Sequence, residues 1–344
     1  MKIEVYSPTI RRREMDAVLT ALVEDKVGPG EQAKLLIQIA KEQFQYDFCL
    51  ALRSPAFALY IALRALNMED GQGVVVSALS PRYYGDVIRE LRLKPVYCDV
   101  ASGTAVMSRE TVQAAVGRDG EGPTARCIVV NHTLGYVPDM AAIGEAGLPV
   151  IEDCSQSCGT VIGETRAGSF GAVTIVGLEE RDMITAGGGA LLYAVNRRDA
   201  GALRGIKPLS EYGLPDMNAA MAVSQFREAS RNMEKRREIA AAYTQAALRT
   251  RHSRFIQPGE WDYNNYAFPL ILETGMKDVK AYARRMGIVV EDAFGDTLTG
   301  SGDVPSGLCP EAYSLSLRTA LFPLYPRLGA AEIEKVAKLI TTLP

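Results

Sequence analysis

Two histidines, His132 and His252, and one tryptophan, Trp261, are all that 344 residues contain of these types. So few imidazoles exclude a histidine-rich metal centre and leave little scope for histidine catalysis. Lysine is missing from a long interval: none occurs between Lys94 and Lys207. No apolar run reaches membrane-spanning length, and the opening MKIEVYSPTIRRREMD lacks the apolar core of a signal peptide. A cytoplasmic chain without a membrane partner is expected. The formal net charge of −3, with acids and bases mixed along the chain, gives no electrostatic footprint for nucleic acid. Six cysteines (Cys49, Cys98, Cys127, Cys154, Cys158, Cys309) are scattered and read as buried, reduced thiols. Only Cys154 and Cys158 are close, and no second pair follows at ligand spacing, so no metal site is expected.

What is present is alternation. GVVVSAL (73–79), KPVYCDV (94–100), ARCIVVN (125–131) and LPVIED (148–153) read as buried strands, with helical spacing at 82–93, 108–116 and 139–146 between them. Such alternation predicts an α/β fold with a mostly parallel sheet covered on both faces. AVTIVG and GALLYAV follow without a helix between them, which predicts an antiparallel element at the end of the sheet. Residues 218–248 predict one long helix carrying opposite charges three apart: Glu228 with Arg231, Glu234 with Arg237, Lys235 with Glu238. After it come a strand in YNNYAFPLIL, a helix at 277–286, a Gly/Asp/Ser-rich loop at 295–308 and a closing helix at 330–343. Residues 1–245 and 246–344 are therefore read as a large and a small domain.

The segment IEDCSQSCGTVIGETRAGSFGAV (151–173) carries a resemblance. It is similar to the DegT/StrS family of sugar aminotransferases, fold-type-I enzymes that use pyridoxal phosphate. That family has E-D-x-A-Q-x-x-G after a buried strand, then G-x-x-G, S-F-H-x-x-K and a G-E-G-G turn. SPAFALYIALRAL looks like the helix after the family's S-G-T loop, NHTLG (131–135) like its H-x-x-G element, and LFPLYPRLGAAEIEKV (321–336) like its closing segment. The resemblance implies an aspartate aminotransferase-like fold with a smaller C-terminal α+β domain. It also implies that Asp153 lies at the ring nitrogen of the cofactor and Gln156 against the ring. A carboxylate at a strand's carboxyl end suits that task, and it equally caps the turn that follows.

The chain departs from the family where the chemistry is hardest to replace. Arg181 stands at the Schiff-base lysine, and a guanidinium stays protonated and is a poor nucleophile. The S-G-T of the phosphate cup reads Ser54-Pro55-Ala56: Pro55 removes an N–H, Ala56 a hydroxyl, and Ser followed by Pro is a favourable helix start. Val176 replaces a serine of the cup. An ungapped count puts Glu211 and Gly213 where the family has asparagine and arginine. Glu179, Glu180 and Asp182 surround Arg181 with charge that repels a phosphate. Gly187–Gly189 reads as a tight turn between strands, and Tyr83 and Tyr84 read as cofactor-stacking or packing residues. His132 reads as a local hydrogen-bonding residue, with a general-base role as the alternative.

Three functions are consistent with these residues. The leading one is a chain that has lost pyridoxal-phosphate transamination and acts as a binding or partner subunit. It would be a homodimer, or a heterodimer with an active paralogue, in sugar-nucleotide or surface-polysaccharide metabolism. The second is a lysine-free enzyme holding pyridoxal or pyridoxamine phosphate noncovalently, or using a nucleotide sugar alone. The third is ordinary sugar aminotransfer.

Overall fold

The structure, a computed structural model, describes residues 2–117 and 123–344. In chain order the helices are α1 (Arg12–Val23), α2 (Glu31–Phe44), α3 (Pro55–Ala65), α4 (Tyr83–Glu90), α5 (Arg109–Val116), α6 (Met140–Gly144), α7 (Arg197–Gly205), α8 (Asp216–Ala247), α9 (Met276–Arg285), α10 (Pro310–Arg318) and α11 (Ala330–Thr341). The strands are β1 (Phe48–Leu52), β2 (Gly73–Ser77), β3 (Lys94–Cys98), β4 (Ala125–Asn131), β5 (Val150–Asp153), β6 (Val161–Ile162), β7 (Thr165–Arg166), β8 (Val173–Gly177), β9 (Ala190–Ala194), β10 (Phe268–Ile271), β11 (Glu291–Asp292) and β12 (Thr319–Phe322).

Seven strands form the main sheet in the order β1-β9-β8-β5-β4-β2-β3. Its β3, β2, β4, β5 and β8 run parallel, while β9 is antiparallel to both β8 and β1. The fold is thus α/β with a mostly parallel central sheet, as the alternation predicts. Every residue of β2, β5, β8 and β9 is buried, because helices cover both faces. One face carries Val75, Ile128, Val130 and Val176 in a core shared with α2 and α8; the other carries Val74, Val129, Ile175 and Leu192 under α3 and α4.

The predicted helix starts are real caps. Ser108 accepts from the Thr111 amide and Asp139 from the Ala142 amide. The long helix α8 forms all three predicted ion pairs: Glu228–Arg231 at 3.6 Å, Glu234–Arg237 at 3.2 Å and Lys235–Glu238 at 2.6 Å. Glu228 also takes Arg11 and Arg13 of the N-terminal basic run, at 3.3 and 2.7 Å. Buried Asp216 lies at the start of α8 and accepts from the amides of Gly30 and Ala33, so it caps α2 from a distance.

Past α8, β10, β12 and β11 form an antiparallel sheet packed by α9 and α11. The strand expected across YNNYAFPLIL is confined to its second half. Asn264 turns its side chain onto the backbone of 156–158, and Asn265 takes φ +53°, so the chain becomes extended only at Phe268. No helix is expected at 310–318, yet α10 forms there: Asp99 from the end of β3 accepts the amides of Glu311 and Ala312.

Candidate functional site

The candidate site lies at the carboxyl end of β5 and β8, where ligands of open α/β sheets bind. Asp153 is the last residue of β5 and is 2% exposed. Its Oδ2 accepts from the Tyr84 hydroxyl at 2.6 Å and the Tyr83 hydroxyl at 3.3 Å. Its Oδ1 accepts from the Ser155 amide at 3.0 Å and the Ser155 hydroxyl at 2.5 Å. A carboxylate offers about four lone-pair positions, and four donors of this chain converge on them. Asp153 closes the turn after β5 and faces the first turn of α4. Burial raises both tyrosine pKa values well above the phenol range, and the Asp153 charge adds to the effect. Tyr83 and Tyr84 act as hydrogen-bond donors, with their rings edge to face at 5.0 Å.

Ser155 passes the network on. Its Oγ accepts from the Gly177 amide at 2.7 Å. A Cβ at Gly177 would meet the Asp182 carboxylate and the Ser155 hydroxyl, so glycine lets β8 approach these two side chains closely. The Gln156 side chain accepts from the Leu134 amide at 2.6 Å. That bond holds Leu134 in the left-handed region (φ +55°), uncommon for a branched residue.

The other sequence candidates are dispersed. Ser54 is the N-cap of α3: its Oγ accepts from the Phe57 amide at 3.3 Å, with Pro55 as the first helical residue. Tyr212 stacks on Phe57 at 4.4 Å over that helix start, because the 211–214 segment hydrogen-bonds back onto Ala51 and Arg53. Val176 is buried within β8. Arg181 leaves the sheet altogether. It is exposed, its Nη1 donates to Glu291 of β11 at 2.7 Å, and its guanidinium lies 6.0 Å from the Tyr6 ring centre. Its pKa is raised by the Glu291 bond. Gly187–Gly189 all have positive φ and turn the chain tightly between β8 and β9, as expected. The Glu179 side chain fills that turn, 3.5 Å from the Gly189 amide, with its pKa raised by burial.

Four features escape the sequence reading. Tyr6 crosses from the N-terminus to donate to the Glu180 carbonyl. Arg236 of α8 is 4% exposed and donates to the carbonyls of Tyr266 and Leu324 at 2.8 and 3.1 Å. The loop 295–308, polar in sequence, docks on the turn preceding α4: Leu298 and Thr299 donate their amides to Ser80 and Ala78, both at 3.0 Å. Half-buried Asp182 accepts from the Glu179 amide, and desolvation raises its pKa to about 7. This raised pKa makes the folded state hold a proton between about pH 4 and 7 that the unfolded chain releases, so stability falls as pH rises through that window. Asp182→Asn is therefore expected to raise the Tm relative to the parent chain at pH 8, with the difference vanishing near pH 4. Paired thermal melts across pH check this.

His132 makes a local hydrogen bond. Its Nδ1 lies 2.6 Å from Ser157 Oγ, it is fully buried, and burial lowers its pKa to about 3. Its Nε2 faces Glu152 Oε1 at 3.4 Å. The ring is neutral at ordinary pH and has no exposure to solvent.

The sequence matches the DegT/DnrJ/EryC1/StrS aminotransferase family over residues 8–341. This chain belongs to that family. Solved structures share the fold over nearly the full length. An aminotransferase, TlmJ, from Streptoalloteichus hindustanus superposes with a TM-score of 0.87 at 20% identity, covering 99% of this chain and 98% of its own. A DegT/DnrJ/EryC1/StrS aminotransferase from Brucella abortus gives 0.87 at 20% identity, covering 95% and 94%. A GDP-4-keto-6-deoxymannose-3-dehydratase, solved as a mutant with GDP-perosamine, gives 0.86 at 15% identity, covering 98% and 100%. Among the described residues no helix is long and apolar enough to cross a membrane.

Proposed function

We propose that this DegT/StrS-family chain has given up pyridoxal-phosphate transamination and serves as a binding or partner subunit. The observation that carries this is the Asp153 carboxylate, whose acceptor positions are taken by Tyr84, Tyr83 and Ser155. A protonated ring nitrogen would have to displace one of these donors into a buried, low-dielectric site. The residues around it point the same way. Ser54 Oγ is engaged in capping α3, Pro55 has no N–H to offer, Val176 has no hydroxyl, and the Glu179 carboxylate lies at the glycine turn. Arg181 carries no free amine and is held by Glu291. These residues do not fit pyridoxal phosphate, so no chemical step is routed through it.

The same proposal keeps the large domain at 1–245 and the small one at 246–344, a cytoplasmic location, and a homodimer or a heterodimer with an active paralogue. Sugar-nucleotide or surface-polysaccharide metabolism as the setting follows from the family alone.

The test is a pyridoxal phosphate titration of the purified chain and of Arg181→Lys, followed by cofactor absorbance and Trp261 fluorescence. Neither form is expected to bind saturably. An aldimine band in Arg181→Lys would show that only the amine had been lost. Saturable binding by the parent chain would overturn the proposal in favour of lysine-free, noncovalent chemistry, and turnover assays with keto-sugar nucleotides would follow.

A further inference from the structure

The helix α9 carries an excess of positive charge on a chain whose formal net charge is −3. Lys277, Lys280 and Arg284 recur at i, i+3 and i+7, which places them on one face with Ala281 between them. The opposite face, Val279 and Ala283, is buried in the small core. Arg284 and Lys280, with Lys2 from the N-terminus, line a cavity of about 150 Å3 walled by the backbone of 287–290. Lys277, Lys280 and Arg284 also line an adjoining groove of about 480 Å3, with Met276 and Ala281. No acidic side chain lines either hollow. Asp292 fixes Lys280 at 2.5 Å, while Lys2, Lys277 and Arg284 form no ion pair among the described residues. Asp278 lies outside both hollows, in a neighbouring depression that it lines with Ala281, Tyr282, Arg284 and Arg285.

Like charges gathered around a hollow repel one another, and a bound anion relieves that repulsion. We propose that the α9 groove binds the phosphate groups of a small molecule carrying a diphosphate or longer phosphate chain. Seven residues of helix at 1.5 Å each spread the charges over roughly 10 Å, which suits a chain of phosphates better than a single one. The Arg284 fork donates in pairs to phosphate oxygens, and Lys277 adds a point charge, while Lys280 is shared with Asp292. Ala281 leaves the centre of the stripe open. A membrane surface is disfavoured: none of the large exposed hydrophobic side chains among the described residues lies on α9 or in 287–290, so the helix has no apolar anchor for a lipid interface.

This site stands apart from the one at Asp153 and does not rest on the proposed loss of transamination. The test is isothermal titration calorimetry with inorganic tripolyphosphate at low salt. The parent chain is compared with Lys277→Gln/Arg284→Gln and with a control, Arg249→Gln/Arg251→Gln, which removes equal charge elsewhere. Saturable binding is expected, weakened at least tenfold by the α9 pair and unchanged by the control. All substitutions are at exposed positions, and matching thermal melts establish that the variants fold. The proposal is overturned by absence of saturable binding, by equal weakening in both pairs, or by binding to phosphatidylglycerol vesicles without binding to tripolyphosphate.

Discussion

Asp153→Ala is expected to destabilise the folded chain by about 3–5 kcal/mol, read as a lower urea midpoint. Four donors converge on this carboxylate in a site 2% exposed. Alanine leaves two tyrosine hydroxyls, a serine hydroxyl and a backbone amide without their acceptor, where water has little access. The consequence extends to β8, since Ser155 Oγ also holds the Gly177 amide. A double-variant comparison separates this network from simple loss of volume. Tyr84→Phe removes the shortest tyrosine bond to Asp153, so adding it to Asp153→Ala should cost less than it does in the parent chain. A carboxylate kept free for a ligand gives the opposite result: its removal leaves stability unchanged or slightly improved, as is common where a site holds unpartnered charge. The measurement thus bears directly on whether Asp153 serves the fold or awaits a cofactor.

What was legible in the sequence follows from how each feature is encoded. β2, β4, β5 and β8 are buried on both faces, so they appear as continuous apolar runs that need no partner to be recognised. Ser54, Ser108 and Asp139 announce helix starts because a cap is a local interaction. The short α10 was not legible: its sequence PEAYSLSLR is weakly patterned, and the residue that caps it, Asp99, lies some two hundred positions earlier in the chain. The candidate site divides in the same way. Arg181 and the altered Ser54-Pro55-Ala56 were visible as departures from a motif. That Arg181 swings to Glu291, and that Tyr83 and Tyr84 converge on Asp153, depends on how distant segments pack. Strand alternation sends Glu152 and Asp153 to opposite faces of β5, and the motif announces a role only for the second.

Glu152 carries the other large expected effect. It is fully buried and accepts the amides of Gly168 at 2.6 Å and of Phe170 and Gly171 at 2.9 Å each. These three N–H groups belong to the glycine-rich turn that delivers the chain into β8, and the turn has no regular ladder to satisfy them. The Gly168 carbonyl is held in its turn by Thr174 and Tyr193, both at 3.0 Å. Glu152→Ala is expected to cost about 4 kcal/mol, from three orphaned donors, two of them buried, and the cavity left behind. Amide exchange at 168, 170 and 171 should accelerate ahead of the rest of the sheet. Burial raises the Glu152 pKa in the folded chain, so its contribution falls as pH rises past the unfolded value of about 4.3. The gap between parent and alanine variant should therefore be widest in mild acid. An unchanged midpoint, with normal exchange at the three amides, would mean that the turn holds itself. In that case the position of Gly177, and with it the closure around Asp153, would need another cause.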